Sequence, residues 1–162
     1  MGVLVRSELT LFEDSARVPL IVWAPGMRAT GKPCLRLVEL IDLYPTLTDW
    51  CGLATPPGLD GTSFAALLNN PDRPWKPAAY SLIARSKDDS KHAREMDYLG
   101  RSVRSERWRY TEWDDGRQGA ELYDYVMDPG EFYNLATDPH AADALWDMKL
   151  QLRNEFRPAA GR

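Results

Sequence analysis

The stretch RVPLIVWAPG, residues 17–26, decides the fold. Val18, Leu20, Ile21, Val22 and Trp23 make a nearly continuous apolar run closed by Pro25-Gly26. A short run rich in β-branched residues and ended by a turn reads as a strand buried on both faces. Pro19 has no N–H to donate, so it belongs at the strand's first residues or beside an unpaired edge. A strand buried on both faces needs a wide sheet with helices on either side. The chain holds too few further strands of that kind to build one. It is therefore expected to be a piece of a larger α/β fold.

Residues 11–15 (LFEDS) form an amphipathic lead-in to this run. After it, 27–33 is a polar loop and 35–41 alternates weakly. Asp42 is placed as the N-cap of a helix over 43–51, with Pro45 in the first turn, where its missing N–H costs nothing. Leu43, Leu47 and Trp50 share a face of that helix, and Gly52 suits the position just past its end. The stretch 54–61 is a Pro- and Gly-rich linker, and Ser63 is set to cap a short helix through Leu68.

From Ala78 the pattern changes to strands: 79–84, then 98–104 and 108–113 around a short turn, then 121–125. Their alternation predicts an antiparallel sheet with one apolar face inward and one polar face outward. Over 141–156 a helical stripe of Ala144 or Leu145, Met148, Leu152 and Phe156 is expected to cover that sheet. The fold class is thus α/β, turning to α+β in the C-terminal half. Two parts are drawn: 1–77 as the end of a main α/β domain, and 78–162 as a small antiparallel-sheet subdomain with a terminal helix.

The composition is that of an ordinary globular chain, 44% hydrophobic and 27% charged over 162 residues. The net charge of −4 points to neither a nucleic-acid nor an anionic-membrane partner. Six Trp and seven Tyr suit a core, a sugar-stacking surface or an interface. Cys34 and Cys51 build no disulfide framework and lack metal-site spacing. No stretch is apolar for long enough to span a membrane, and the first residues do not read as an export signal. Met1-Gly2 with Ser7 is a short, loose match to a myristoylation signal.

Three segments resemble the sulfatase family of the alkaline phosphatase-like superfamily, in the family's own order. Residues 11–26 (LFEDSARVPLIVWAPG) resemble the segment after its second metal-binding stretch. Residues 38–52 (VELIDLYPTLTDWCG) resemble its Asp-x-x-Pro-Thr-Leu helix, and 121–136 (ELYDYVMDPGEFYNLA) its C-terminal signature. Residues 100–113 (GRSVRSERWRYTEW) most resemble the iduronate-2-sulfatase type. The resemblance runs from Leu11 to about Phe156 and implies a partial alkaline phosphatase-like sulfatase fold.

That resemblance also says what is missing. The family attacks sulfur with a formylglycine made from Cys or Ser in Cys/Ser-x-Pro-x-Arg, and neither Cys34 nor Cys51 sits in such a motif. It holds Ca²⁺ through Asp pairs, as a hard cation requires. Asp88-Asp89 and Asp114-Asp115 are adjacent pairs, but both fall in charged loops and read as surface turns. No catalytic, cofactor-binding or metal residue is therefore assigned to this chain. The family's sulfate-holding lysine lies four residues before Phe12, where this chain has Glu8. A carboxylate there would repel sulfate, so either the register breaks near the start or the position has lost its role; Arg6 close by could substitute, but Arg6 and Glu8 read first as solvated surface charges. His140 reads as a cap or surface group. His92, with Arg85, Lys87, Lys91 and Arg94, lies in a basic loop that is either a solvated surface or a wall for an anionic sugar chain.

Two functions follow. The first is the C-terminal portion of a sulfatase acting on a sugar or glycosaminoglycan-like sulfate ester, inactive alone. The second is a non-catalytic binding module derived from one. Either leaves the 18–23 run in need of cover, by a complementary N-terminal sulfatase segment or by self-association, the favoured options, or by local rearrangement of the first half. Substrate and compartment stay open; intact relatives are often exported.

Overall fold

The computed structural model describes residues 10–86 and 97–156. They form two compact units: Pro19–Ala79, and the described residues of Met1–Val18 together with those of Tyr80–Arg162.

The second unit is built on a sheet ordered β1 (Ala78–Arg85), β2 (Tyr98–Ser105), β3 (Trp108–Trp113), β4 (Ala120–Asp124). β3 pairs antiparallel with both β2 and β4. The register sets Val103 opposite Tyr110 and Tyr110 opposite Leu122. This row is the driest part of the core, at 0%, 1% and 0% exposure. The helix α3 (Ala142–Glu155) packs on β2 and β3, burying Met148 and Leu152. The predicted helix stripe thus lies on the predicted apolar face.

The opposite face departs from the expectation. The residues expected to point outward, Ser102, Arg104, Arg109 and Thr111, are all buried. Thr111 Oγ1 donates to Ser102 Oγ across the strand pair at 2.9 Å. A short helix, α1 (Glu13–Ala16), and the turn after β4 cover this side, with Phe12 against the Tyr123 ring at 5.9 Å. Alternation says which residues share a face, but not whether water or other protein covers it.

In the unit Pro19–Ala79 the organising residue is Asp42. It is fully buried and closes a 3-10 turn, Leu40–Asp42, that leads into α2 (Leu43–Trp50). Its carboxylate accepts the Glu39 N–H, the Thr62 N–H and, at 2.6 Å, Lys76 Nζ. Asp42 is therefore not the side-chain cap of α2 that the sequence suggested. It has helical backbone angles, and its carboxylate serves the turn before it instead. Gly61 permits this closeness, since a Cβ there would lie 2.0 Å from the Ile41 carbonyl oxygen. Past α2, Gly52 takes φ +66° while its N–H reaches Asp49 O and the Leu53 N–H reaches Thr48 O, the expected glycine stop.

The run 18–23 is not a strand, and Ile21 and Trp23 are 92% and 76% exposed. A strand buried on both faces needs ladder partners and covering helices, and the described residues of this unit supply no sheet for it. Val22, Trp23 and Ala24 instead line an open apolar groove with Leu43, Leu47, Trp50, Phe64 and Leu68. The α2 stripe is likewise only partly covered, with Leu47 exposed.

Leu152→Asp places an unpaired charge in the driest region and is expected to cost on the order of several kcal/mol. Denaturant unfolding reads this directly; an unchanged midpoint would show that α3 does not cover the sheet.

Candidate functional site

A group of four ionisable side chains, Glu13, Arg104, Arg109 and Glu131, lies behind the sheet in the unit containing α1. Arg104 and Arg109 sit directly opposite each other on β2 and β3. Two like charges so placed repel, and Arg109 is only 2% exposed, so both need partners. Glu13 Oε2 accepts from Arg104 Nε at 3.2 Å and from Arg109 Nη2. Glu131 Oε1 accepts from Arg109 Nε at 2.6 Å, and its Oε2 accepts the Glu13 N–H at 2.7 Å. Glu13, Arg109 and Glu131 thus close a ring joining positions 13, 109 and 131. The Arg104 guanidinium also stacks 3.9 Å from the Tyr125 ring centroid.

Burial alone would raise the Glu13 carboxyl pKa. The Arg109 and Arg104 guanidinium groups outweigh it and hold it below the usual carboxylate value. Nearby, Tyr123 is pushed up to about 12, first by burial and then by Glu121, Glu131 and Asp128, so it stays a neutral phenol. Burial likewise raises the Glu121 carboxyl, whose Oε1 faces Trp113 Nε1 at 3.4 Å. On the α3 side, Tyr110 donates to the buried Glu112 at 3.1 Å, and Arg153 approaches that carboxylate to 3.8 Å.

These acids are each matched by cations or donors, so the arrangement fixes positions. Among the described residues no group of three or more His, Cys, Asp or Glu side chains could hold a metal. Asp114-Asp115 is a surface turn whose carboxylates engage Arg117 and Arg101. Asp42 and Glu39 are bound to Lys76, and Asp124 to Arg107, whose hydrogen bonds keep that carboxyl below the usual range. Carboxylates already bound to cationic side chains do not fit a Ca²⁺ site. Cys34 and Cys51 are exposed thiols. His140 is exposed, with its backbone N–H capped by Asp138. Arg85 lies 4.5 Å from the Trp113 ring centroid. Arg6, Glu8, Lys87, Asp88, Asp89, Lys91, His92 and Arg94 fall outside the described residues.

Sequence reasoning misses the ring, although each member stands in a segment with a recognisable pattern. The usable signal is the spacing of Arg104 and Arg109 around a tight turn. That spacing puts two cations on one face and calls for two acids.

The comparisons with known proteins agree with this architecture. The Delta 4,5-hexuronate-2-O-sulfatase of Bacteroides thetaiotaomicron is 35% identical over 154 residues, covering 92% of this chain and 30% of that protein. Arylsulfatase K of Mus musculus is 30% identical over 155 residues, covering 89% of this chain and 26% of that protein. A solved structure of a 2-O GAG sulfatase superposes with TM-score 0.57 at 34% identity, over 70% of this chain and 23% of that one. The fold is therefore that of a sulfatase of the alkaline phosphatase-like class. More narrowly, the chain belongs to the family described as N-sulphoglucosamine sulphohydrolase, C-terminal, whose model matches residues 8–157. It spans less than a third of the length of these relatives.

The ring predicts a pH dependence. The folded Glu13 pKa is depressed, so its stabilisation is complete above the unfolded value of about 4.3 and is lost as pH falls through the lower folded value. The stability difference between wild type and Glu13→Gln should be constant at neutral pH and shrink below about pH 4. Urea unfolding across that range measures it; a difference independent of pH would contradict the ion-pair role.

Proposed function

We propose that this chain is the C-terminal part of a sulfatase that hydrolyses sulfate esters on uronate-containing, glycosaminoglycan-like sugars. The observation that carries this reading is the 35% identity to a hexuronate-2-O-sulfatase along nearly the whole chain. The 2-O GAG sulfatase structure supports the same substrate class.

In this reading, nucleophile and Ca²⁺ belong to the portion of the relatives that this chain does not span. The chain's own contribution is support: the buried ion ring, the sheet and the stretch leading into α1. In the family resemblance that stretch carries a sulfate-holding lysine, and counting back from Phe12 gives Glu8 at its place. The exposed run 18–23 and the groove beside α2 would dock the catalytic portion, because an open apolar segment with unpaired backbone invites pairing. Self-association of the chain is the competing use of that surface.

The test is a chromogenic sulfate ester with the chain alone and with the catalytic portion added. The expected result is no turnover alone, and turnover on addition, accompanied by slower amide exchange across 18–23. Turnover by the homogeneous chain that a substitution in a described residue abolishes would contradict the assignment. A catalytic portion that neither binds nor turns over would favour a non-catalytic module.

A further inference from the structure

We propose that β1 is the pairing edge of the sheet and that its occupant is a second copy of this chain, joined β1 to β1 in antiparallel sense about a two-fold axis at Leu82.

The chain treats the two edges of its sheet differently. β4 is closed from within. Asn134 Oδ1 accepts the Leu122 N–H at 3.0 Å, and Asn134 Nδ2 donates to the Ala120 carbonyl at 3.1 Å. The Leu135 N–H donates to the Leu122 carbonyl at 2.8 Å. β1, at the other end of the sheet, has one strand neighbour among the described residues, β2. Both backbone groups of a strand residue point to one side, and successive residues alternate sides. The Arg85 carbonyl accepts the N–H of Asp97, the residue directly before β2, so Arg85 faces β2. Ala84 and Leu82 therefore turn their backbone groups to the open side. An open edge is usually defended by proline, by charge or by shortness. β1 is eight residues long, holds no proline and carries its only charge at Arg85, its last residue.

The side chains select the occupant. Tyr80, Leu82 and Ala84 share one face of the strand. Tyr80 meets the ring of Phe156, the residue just past α3, edge-on at 6.1 Å, so this is the face that carries α3. Leu82, two residues on, is 55% exposed, an apolar side chain at the rim of a covered face. A two-fold axis at Leu82 sets it against its own copy. There each Leu82 N–H donates to the other's carbonyl, and the two Cβ atoms come within about 4.5–5.5 Å. Each leucine then covers the other. The same axis sets Tyr80 opposite Ala84, a large side chain against a small one. It also sends the two Arg85 side chains to opposite ends of the seam, roughly 20 Å apart. Parallel pairing in register would stack them side by side. A strand that is uncharged through its middle and charged at one end is complementary to itself only when antiparallel, which is the geometry of a closed two-fold dimer.

The test is mass in solution by sedimentation, from micromolar to submillimolar chain, in a background carrying Ile21→Lys. Ile21 is 92% exposed, so this substitution blocks pairing through 18–23 and leaves the core intact. The expected result is a dimer whose Kd rises about tenfold or more when Leu82→Lys is added, since like charges then oppose each other on the axis. A second readout needs no change at Leu82. In the same background the Leu82 and Ala84 amides should exchange about tenfold more slowly in the dimer than after dilution, with β3 and α3 protection unchanged. A monomer across the whole range overturns the proposal, as does a dimer whose Kd is unmoved by Leu82→Lys. Leu82 and Ala84 amides that exchange alike at both concentrations overturn it too. Protection of those amides that appears only when the catalytic portion of a sulfatase is added assigns the edge to that portion and overturns the self-pairing.

Discussion

Two buried arginines face each other across one rung of the sheet, and much of this unit follows from neutralising them. Arg104 opposite Arg109 is repulsive by itself, and burial removes the water that would screen it. Carboxylates must come from elsewhere in the chain, because the neighbouring residue in the rung, on β4, is Tyr123. They come from Glu13, far upstream, and Glu131, in the turn after β4. The seat of α1 and the left-handed backbone at residue 131 are consequences of that demand. A buried pair of this kind is weak evidence for net stability but strong evidence for geometry, since losing one partner strands a charge.

The apolar side of the sheet was legible in the sequence and the polar side was not. Val103, Tyr110, Leu122, Met148 and Leu152 announce themselves through periods of two and of 3.6, and the core forms where those periods predict. Ser102, Thr111, Arg104 and Arg109 carry the same period with the opposite chemistry. Polar residues at that period suit either solvent or a matched interior. Only their partners decide between the two, and those lie 90 residues or more away in sequence for Glu13. Asp42 shows the same ambiguity at shorter range. It stands where a helix cap belongs, yet Glu39, Thr62 and Lys76 converge on it and it works as a hub.

The run 18–23 is the reverse case, apolar in sequence and exposed in the structure. Its composition fits a strand in a wide sheet, but composition does not supply neighbours. The relatives are more than three times as long as the matched region, so the sequence pattern reflects a fold larger than this chain. Fold class and family were therefore readable from short motifs. The ring's own carboxylates, Glu13 and Glu131, are bound to arginine side chains.

Everything built on the ring requires that Glu13 and Arg109 be energetically coupled and not merely side by side. A double-mutant cycle with Glu13→Gln, Arg109→Met and the double variant, read by urea unfolding at neutral pH, isolates that coupling. The expected coupling is about 1.5–3 kcal/mol, the range for hydrogen bonds to charged groups. Additive single-variant effects, with a coupling near zero, would contradict it and leave α1 held by packing alone.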